Sequence, residues 1–418
     1  MNYLLFVVYL LVFCWLLLQI PFIKKSGIDS KVILGLFLFK IIAGIAIGWL
    51  SVHFYGAGND YWDVNREAWN EYRLMVTDPG KYLTNLFTSG YPEGYSGLFS
   101  SYNSYWNDLR GNIIIKLVSV FDIFSRGDYY INSLFFNFFV FFGHVLLYRL
   151  FIKLYPGNKM LVMTGCFLLP STLYFSSGIH KDGMVFLMLS LFIYILFQCL
   201  RQNKVTVKRL LFAGISLLLL FGLRNFIFLA LVPATIAWIV TENTKAPALR
   251  IFTMVYLLTG ILFFTAGLVF EKRNPPEVVT QKQAEYLRLP YSATQIYLNP
   301  LQPNFSSFAV NAPQALNHSF LRPYLWELPS KALLPLNIEL AAYQVLVLLF
   351  LLFRKKETGI TDRPFILFAL FFTSTLFLLI GYIVPNLGSI VRYRSLYLPL
   401  LITPLLCNIN WDRLRVKN

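Results

Sequence analysis

Apolar runs of membrane-spanning length recur along the whole chain, at about 2–23, 32–54, 130–152, 160–177, 184–200, 251–270, 336–353, 364–384 and 395–410. Each is close to the roughly 20 residues that carry a helix across a bilayer. Their length and periodicity predict helices rather than a β-barrel. Residues 209–241 form a longer apolar stretch that Arg224 and Asn225 divide into two runs of about 15 residues, roughly 22 Å of helix each. One long helix and a short hairpin are the alternatives. Arg201, Lys204, Lys208 and Arg209 precede the stretch and Lys245 and Arg250 follow it, and basic connections stay on the cytoplasmic side. Both ends then lie inside, which favours two short passes with Arg224 near the outer rim. The expected fold is an all-α integral membrane protein of about 11 transmembrane helices.

Composition agrees. Hydrophobic residues make up 57% of the chain and charged ones 13%, with a mean hydropathy of +0.60, values that exclude a soluble globular domain. With the N-terminus outside and the C-terminus cytoplasmic, the cytoplasmic connections hold 19 of the 36 Lys and Arg against five of the 20 acids, Asp29, Glu242, Glu357, Asp362 and Asp412. The outer connections hold 16 against 15, and Lys40 lies within the second helix. Topology therefore accounts for the pI of 9.6, and no nucleic-acid partner is called for. Met1–Ile23 lacks a basic leading segment and a small-residue cleavage site, the pattern of a retained anchor rather than a signal peptide. Cys14, Cys166, Cys199 and Cys407 fall in apolar segments without metal-type spacing and read as small buried hydrophobes.

The chain reads as a single polytopic domain, 1–418, with two large outer loops at 55–129 and 271–335 that are rich in Tyr, Trp, Asn and Pro. Loops this long are functional or disordered, and their aromatic content argues against disorder. Gly111–Phe124 places Ile113, Ile114, Leu117, Val118 and Phe121 at helical spacing, which predicts an amphipathic helix in the outer interface. No internal repeat is evident, which weakens a transporter reading. Lys40 and His144 are ionisable groups deep in apolar runs; as plain structure, Lys40 snorkels toward the cytoplasm and His144 is a hydrogen-bonded core residue.

Candidate chemistry gathers at the outer rim. Gly56-Ala57-Gly58-Asn59-Asp60-Tyr61-Trp62-Asp63 leads from an apolar run into acids at 60, 63, 67 and 71, one stripe of a helix. As plain structure, Asp60 is the N-cap, and Asp63, Arg66, Glu67 and Glu71 form a solvated face. As chemistry, Asp60 is the catalytic carboxylate, with Asp63 assisting. Trp62 and Trp69 suit an interfacial position. Pro170-Ser171 leads to Ser177-Gly178-Ile179-His180-Lys181-Asp182-Gly183, in which Gly178 and Gly183 allow a sharp reversal that presents imidazole, ammonium and carboxylate together. His180, Lys181, Arg224, Arg392 and Arg394 are candidate ligands for the phosphate of a lipid-linked donor, or else cations anchored at the interface. Arg322, Trp326 and Glu327 are candidate acceptor or substrate contacts in the second loop, beside Tyr291, Tyr297, Asn304, Asn317 and His318. The histidines His53, His144, His180 and His318 show no zinc spacing. A divalent cation held by Asp60 and Asp63 is the one cofactor this pattern admits.

At these residues the chain resembles bacterial members of the GT-C glycosyltransferase superfamily near the family 39 mannosyltransferase-like proteins. The carrying elements are Gly58-Asn59-Asp60-Tyr61, Pro170-Ser171 with Ser177–Asp182, Leu223-Arg224-Asn225, Arg322-Pro323-Tyr324-Leu325-Trp326-Glu327, and Arg392-Tyr393-Arg394 before Pro399. The resemblance implies a helical membrane fold in the bacterial inner membrane and a sugar donor carried on a polyprenyl phosphate. It implies Asp60 as the base that deprotonates an acceptor hydroxyl of a glycan, lipid or protein, with inversion, in building cell-envelope polysaccharide. The chain departs from the family pattern in having one helix ahead of the helix that leads into the acidic loop. An O-antigen polymerase or ligase type of enzyme, and a transporter or flippase of lipid-linked sugars, are the competing readings.

Overall fold

The computed structural model describes residues 2–56, 58–87, 93–95, 104–202, 205–269, 274–290, 294–327, 334–355 and 363–414. Among them the long elements are all helices. Seven are long and apolar enough to cross a membrane: Ser30–Phe54, Tyr129–Leu154, Lys181–Gln202, Val207–Asn243, Ala248–Leu268, Leu334–Phe353 and Arg363–Ile383. Two bent pairs raise this to nine if each pair is one span: Lys159–Phe167 with Pro170–Ser177, bent by 44°, and Leu387–Ser395 with Leu398–Asn408, bent by 68°. Tyr3–Gln19 is apolar but shorter. The chain is thus an all-α, multi-pass membrane protein. In each bent pair a proline, Pro170 or Pro399, opens the second helix, where its missing N–H and fixed φ are tolerated but from which the preceding helix cannot continue. Arg224 has non-helical backbone angles, φ −150° and ψ 80°, so 209–241 is not one unbroken helix.

Contacts between residues divide the chain into two compact units, Met1–Lys153 with Cys166–Asn225, and Leu154–Gly165 with Phe226–Asn418. In the first, one face of Ser30–Tyr55 carries Lys40, Gly44, Ile47, Gly48 and Ser51, three or four residues apart. A Cβ at Gly44 would fall on the Asn137 and Ser133 side chains, and one at Gly48 on the Tyr129 ring; glycine is what lets this helix close on Tyr129–Leu154. Lys40 does not snorkel. It is 1% exposed and donates to Ser176 and Ser177. The loop 55–129 is largely helical, with Asp60–Thr77, Pro79–Thr84 and Tyr105–Ser125, the last containing the amphipathic helix expected at 111–124. Lys116 reaches Glu71 at 2.5 Å across the two longer helices. Beneath them Asn132 Nδ2 donates to Asn65 Oδ1 (2.9 Å) and to Asp122 Oδ1 (2.6 Å), and Asn65 Nδ2 to Gly127 O (3.0 Å). Burial pushes the Asp122 carboxyl up in pKa, against the pull of its Asn132 and Ser125 hydrogen bonds.

In the second unit Arg363–Ile383 is the central helix. Trp238 packs on Phe368 at 4.9 Å between ring centroids, and Tyr382 donates its hydroxyl to Phe308 O at 2.7 Å. Within 271–335 the structure holds helices Pro275–Leu287 and Phe305–Leu316 and a π-turn, Asn317–Leu321. Gln283, buried, donates to Tyr382 O (2.8 Å) and Asn299 O (3.0 Å), tying this segment to the end of the central helix.

Candidate functional site

Asn59, not Asp60, caps the helix Asp60–Thr77. Its Oδ1 accepts from the backbone N–H groups of Tyr61 (3.2 Å) and Trp62 (3.3 Å), so Asp60 becomes the first helical residue, exposed, with its carboxylate where the helix dipole favours negative charge. The acidic stripe then separates. Asp63 pairs with Arg66 at 2.7 Å in the open, an arrangement contributing about 0–1 kcal/mol. Glu67 lies 3.8 Å from the same Arg66, and Glu71 turns inward to Lys116 and to Asn85 (2.7 Å). Trp62 is half-buried: Nε1 donates to Gly48 O at 3.0 Å and the ring stacks on Tyr129 at 4.4 Å.

Tyr61 joins the start of this helix to the second constellation. Its ring meets His180 edge-on at 5.9 Å, and a Cβ on Gly178 would run into the Tyr61 ring. Gly178 has φ −73°, and Gly183 would place a Cβ against Ser176 O and the Phe136 ring. Close approach, rather than a left-handed turn, is therefore what these glycines provide. At the centre lies Asp182, 1% exposed. Its Oδ2 is 3.2 Å from His180 Nδ1, and its Oδ1 accepts from Arg224 Nε at 2.9 Å and from Arg224 Nη2. His180 and Arg224, expected to meet a phosphate directly, thus both meet Asp182, which orients them; Lys181 beside them is half-buried. Sequence spacing could not show this pairing, because 42 residues separate Asp182 from Arg224.

The second unit assembles the remaining candidates separately. Arg394, 3% exposed, donates through Nη1 to Arg322 O (2.6 Å) and Ser319 O (3.2 Å), while its buried Nε has no hydrogen-bond partner. It lines an apolar groove of about 1340 Å³ together with Phe320, Tyr324, Tyr343, Leu348 and Phe377, and Arg354, Lys355, Arg363 and Arg413 also line it. Arg392 is half-buried, and its carbonyl accepts from Ser395 Oγ at 2.7 Å. Arg322 grips Glu327 with two hydrogen bonds, 3.0 and 2.5 Å, and Tyr324 N adds a third at 3.0 Å. Burial works to raise the Glu327 pKa, but these bonds prevail and hold it below its usual value. Trp326 is exposed and stacks on Tyr324 at 4.8 Å, whose hydroxyl donates to Asn317 Oδ1 at 2.6 Å. Arg322, Trp326 and Glu327 are therefore neighbours around Tyr324. Of the interchangeable loop candidates, Tyr297 is exposed, Asn304 caps Phe305–Leu316, and His318 is buried; Tyr291 lies outside the described residues. Among the described residues no three His, Cys, Asp or Glu side chains gather as a metal site would require. The groove itself left no mark in the sequence beyond the apolar runs, since it arises from how several helices of the second unit meet.

Compared with known proteins, the chain matches no family model, no curated protein and no solved structure.

Proposed function

We propose that the chain is a membrane glycosyltransferase that takes a sugar from a polyprenyl-phosphate donor at the outer face and passes it to a glycan, lipid or protein hydroxyl. The observation that carries this reading is the apolar groove of the second unit with Arg394 on its wall. A lipid-linked phosphate combines a long hydrocarbon with one anionic group, and a groove lined by apolar helices and a buried guanidinium with an unpartnered N–H complements both parts. Asp60 is the base in this reading. Its carboxylate takes the acceptor's proton as the acceptor oxygen bonds to the anomeric carbon, and the bond from that carbon to the phosphate oxygen breaks on the opposite side. Within the first unit, His180 lies against the Asp60 helix through Tyr61, Asp182 pairs with both His180 and Arg224, and His180, Lys181 and Arg224 are the cations proposed to meet a phosphate. Asp63, paired with Arg66, keeps an assisting role.

The topology that goes with this proposal has eleven passes. Tyr3–Gln19 counts once, each bent pair once, and Val207–Asn243 twice on account of the break at Arg224. The N-terminus is outside and the C-terminus cytoplasmic, in a bacterial inner membrane.

Photolabelling with a photoreactive polyprenyl phosphate tests the donor site. Wild type is expected to label on groove residues, and Arg394→Gln and the groove-filling Leu348→Trp to lower labelling at least about tenfold, since a charge-assisted hydrogen bond is worth roughly 1.5–3 kcal/mol. Labelling that is indifferent to Leu348→Trp contradicts the groove as the donor site.

A further inference from the structure

We infer that Lys40 is a positioning residue, whose amino group ties down the end of the helix Pro170–Ser177 and so sets the turn that carries His180, Lys181 and Asp182. The last carbonyls of a helix have no partner within it, and buried ones need donors from elsewhere. Here Lys40, from the middle of an apolar helix, supplies them. Its Nζ donates to Ser176 Oγ (2.9 Å), Ser177 Oγ (3.1 Å) and Ser176 O (3.4 Å). Asn137 Nδ2 donates to the next carbonyl, Ser177 O, at 2.8 Å. Among the described residues the hydrogen-bond partners of Lys40 are serine oxygens rather than a carboxylate, although an ionisable group at such depth is costly to insert and is retained where it serves a site.

The same contact extends to a second buried group. His144 Nδ1 lies 2.6 Å from Cys166 O. A carbonyl only accepts, so Nδ1 carries the proton, and in the neutral ring Nε2, 3.4 Å from Ser176 Oγ, is an acceptor. Ser176 Oγ thus accepts from Lys40 and has two acceptors for its one proton, His144 Nε2 and Leu173 O, each at 3.4 Å, while His144 passes its own proton to Cys166 O. These contacts join Ser30–Tyr55, Pro170–Ser177 and Tyr129–Leu154 of the first unit and end on the carbonyl of Cys166, which belongs to the same unit. Immediately after Ser177 come Gly178, packed on Tyr61 next to Asp60, and His180. Loss of the Lys40 contacts releases the helix end and with it the placement of His180 and Asp182 against the Asp60 helix. The effect on catalysis rests on the glycosyltransferase reading; the effect on the turn does not.

The test uses full-length protein, with ¹⁵N-labelled histidine, in nanodiscs. Wild type should show His144 protonated at Nδ1 and not at Nε2. Lys40→Met should shift the His144 Nε2 and His180 ring resonances and lower the kcat of sugar transfer about 100-fold, the scale expected of a small misplacement, with KM within about twofold. Lys40→Arg should restore the His180 resonances and most of kcat. Ser177→Ala, which keeps Lys40 and its other acceptors, should move His180 in the same direction by less, and it decides the matter if Lys40→Met does not fold. Unchanged His180 resonances in the variants overturn the positioning role. Shifted His180 resonances in a protein whose wild type transfers no sugar leave that role standing and contradict the glycosyltransferase reading instead.

Discussion

At the scale of single residues, burial decides which charged groups hold structure and which meet the outside. Asp182 is enclosed and takes up His180 and Arg224, whereas Asp60, two residues beyond a glycine and capped by its neighbour Asn59, stays exposed. Removing one partner of a buried pair leaves an uncompensated charge, a loss of about 3–5 kcal/mol, so Asp182 is as much a stabilising residue as a functional one. His318 offers a test of the same principle in the second unit. Burial, and the positive charge of Arg322, push its pKa down to about 4, with Glu327 opposing. An unfolded histidine titrates near 6.5. Above that pH neither state binds the proton; as pH falls, the unfolded chain takes one that the folded chain refuses, so stability is lost between about 6.5 and about 4. The unfolding midpoint in detergent should fall across that window, and His318→Gln should flatten the fall. An equal slope in the variant would show that other groups are responsible.

At the scale of elements, apolar runs announced the helices, and prolines and one arginine broke them. The runs at 160–177 and 395–410 were legible as spans but not as bent pairs, because the bend depends on where Pro170 and Pro399 fall within the packing. The amphipathic helix within Tyr105–Ser125 was legible from its spacing. The inward turn of Glu71 and the buried grip of Lys40 were not, because each requires a partner far along the chain, Lys116 or Ser176. Helix packing supplies a sharp prediction. A Cβ at Gly381 would collide with the backbone of Ala315, where no flexible side chain can yield, so Gly381→Ala should destabilise by about 1–3 kcal/mol. Gly214, in a helix with open space around it, is the control. Gly214→Ala should stabilise by up to about 1 kcal/mol. Thermal unfolding of both variants checks this, and a neutral Gly381→Ala would mean the two helices do not approach so closely.

At the scale of the whole molecule, composition and charge bias made the membrane class plain, and the candidate chemistry was visible residue by residue without its grouping. The Asp60 helix, His180, Lys181, Asp182 and Arg224 fall in the first compact unit, and Arg322, Trp326, Glu327, Arg392 and Arg394 in the second. The groove on which the lipid-phosphate reading rests belongs to the second alone. A lipid carrier and a carboxylate base are separable claims, and substitution of Asp60 separates them. The deciding measurement is sugar transfer from a radiolabelled polyprenyl-phosphate sugar in proteoliposomes, by wild type, Asp60→Asn and Asp63→Asn, each confirmed as folded. Transfer by wild type, a loss of about 100-fold or more with Asp60→Asn as expected for a general base, and only a modest loss with Asp63→Asn is the predicted result. Unchanged transfer with Asp60→Asn, or movement of the lipid-linked sugar across the bilayer with no new glycosidic bond, would contradict it.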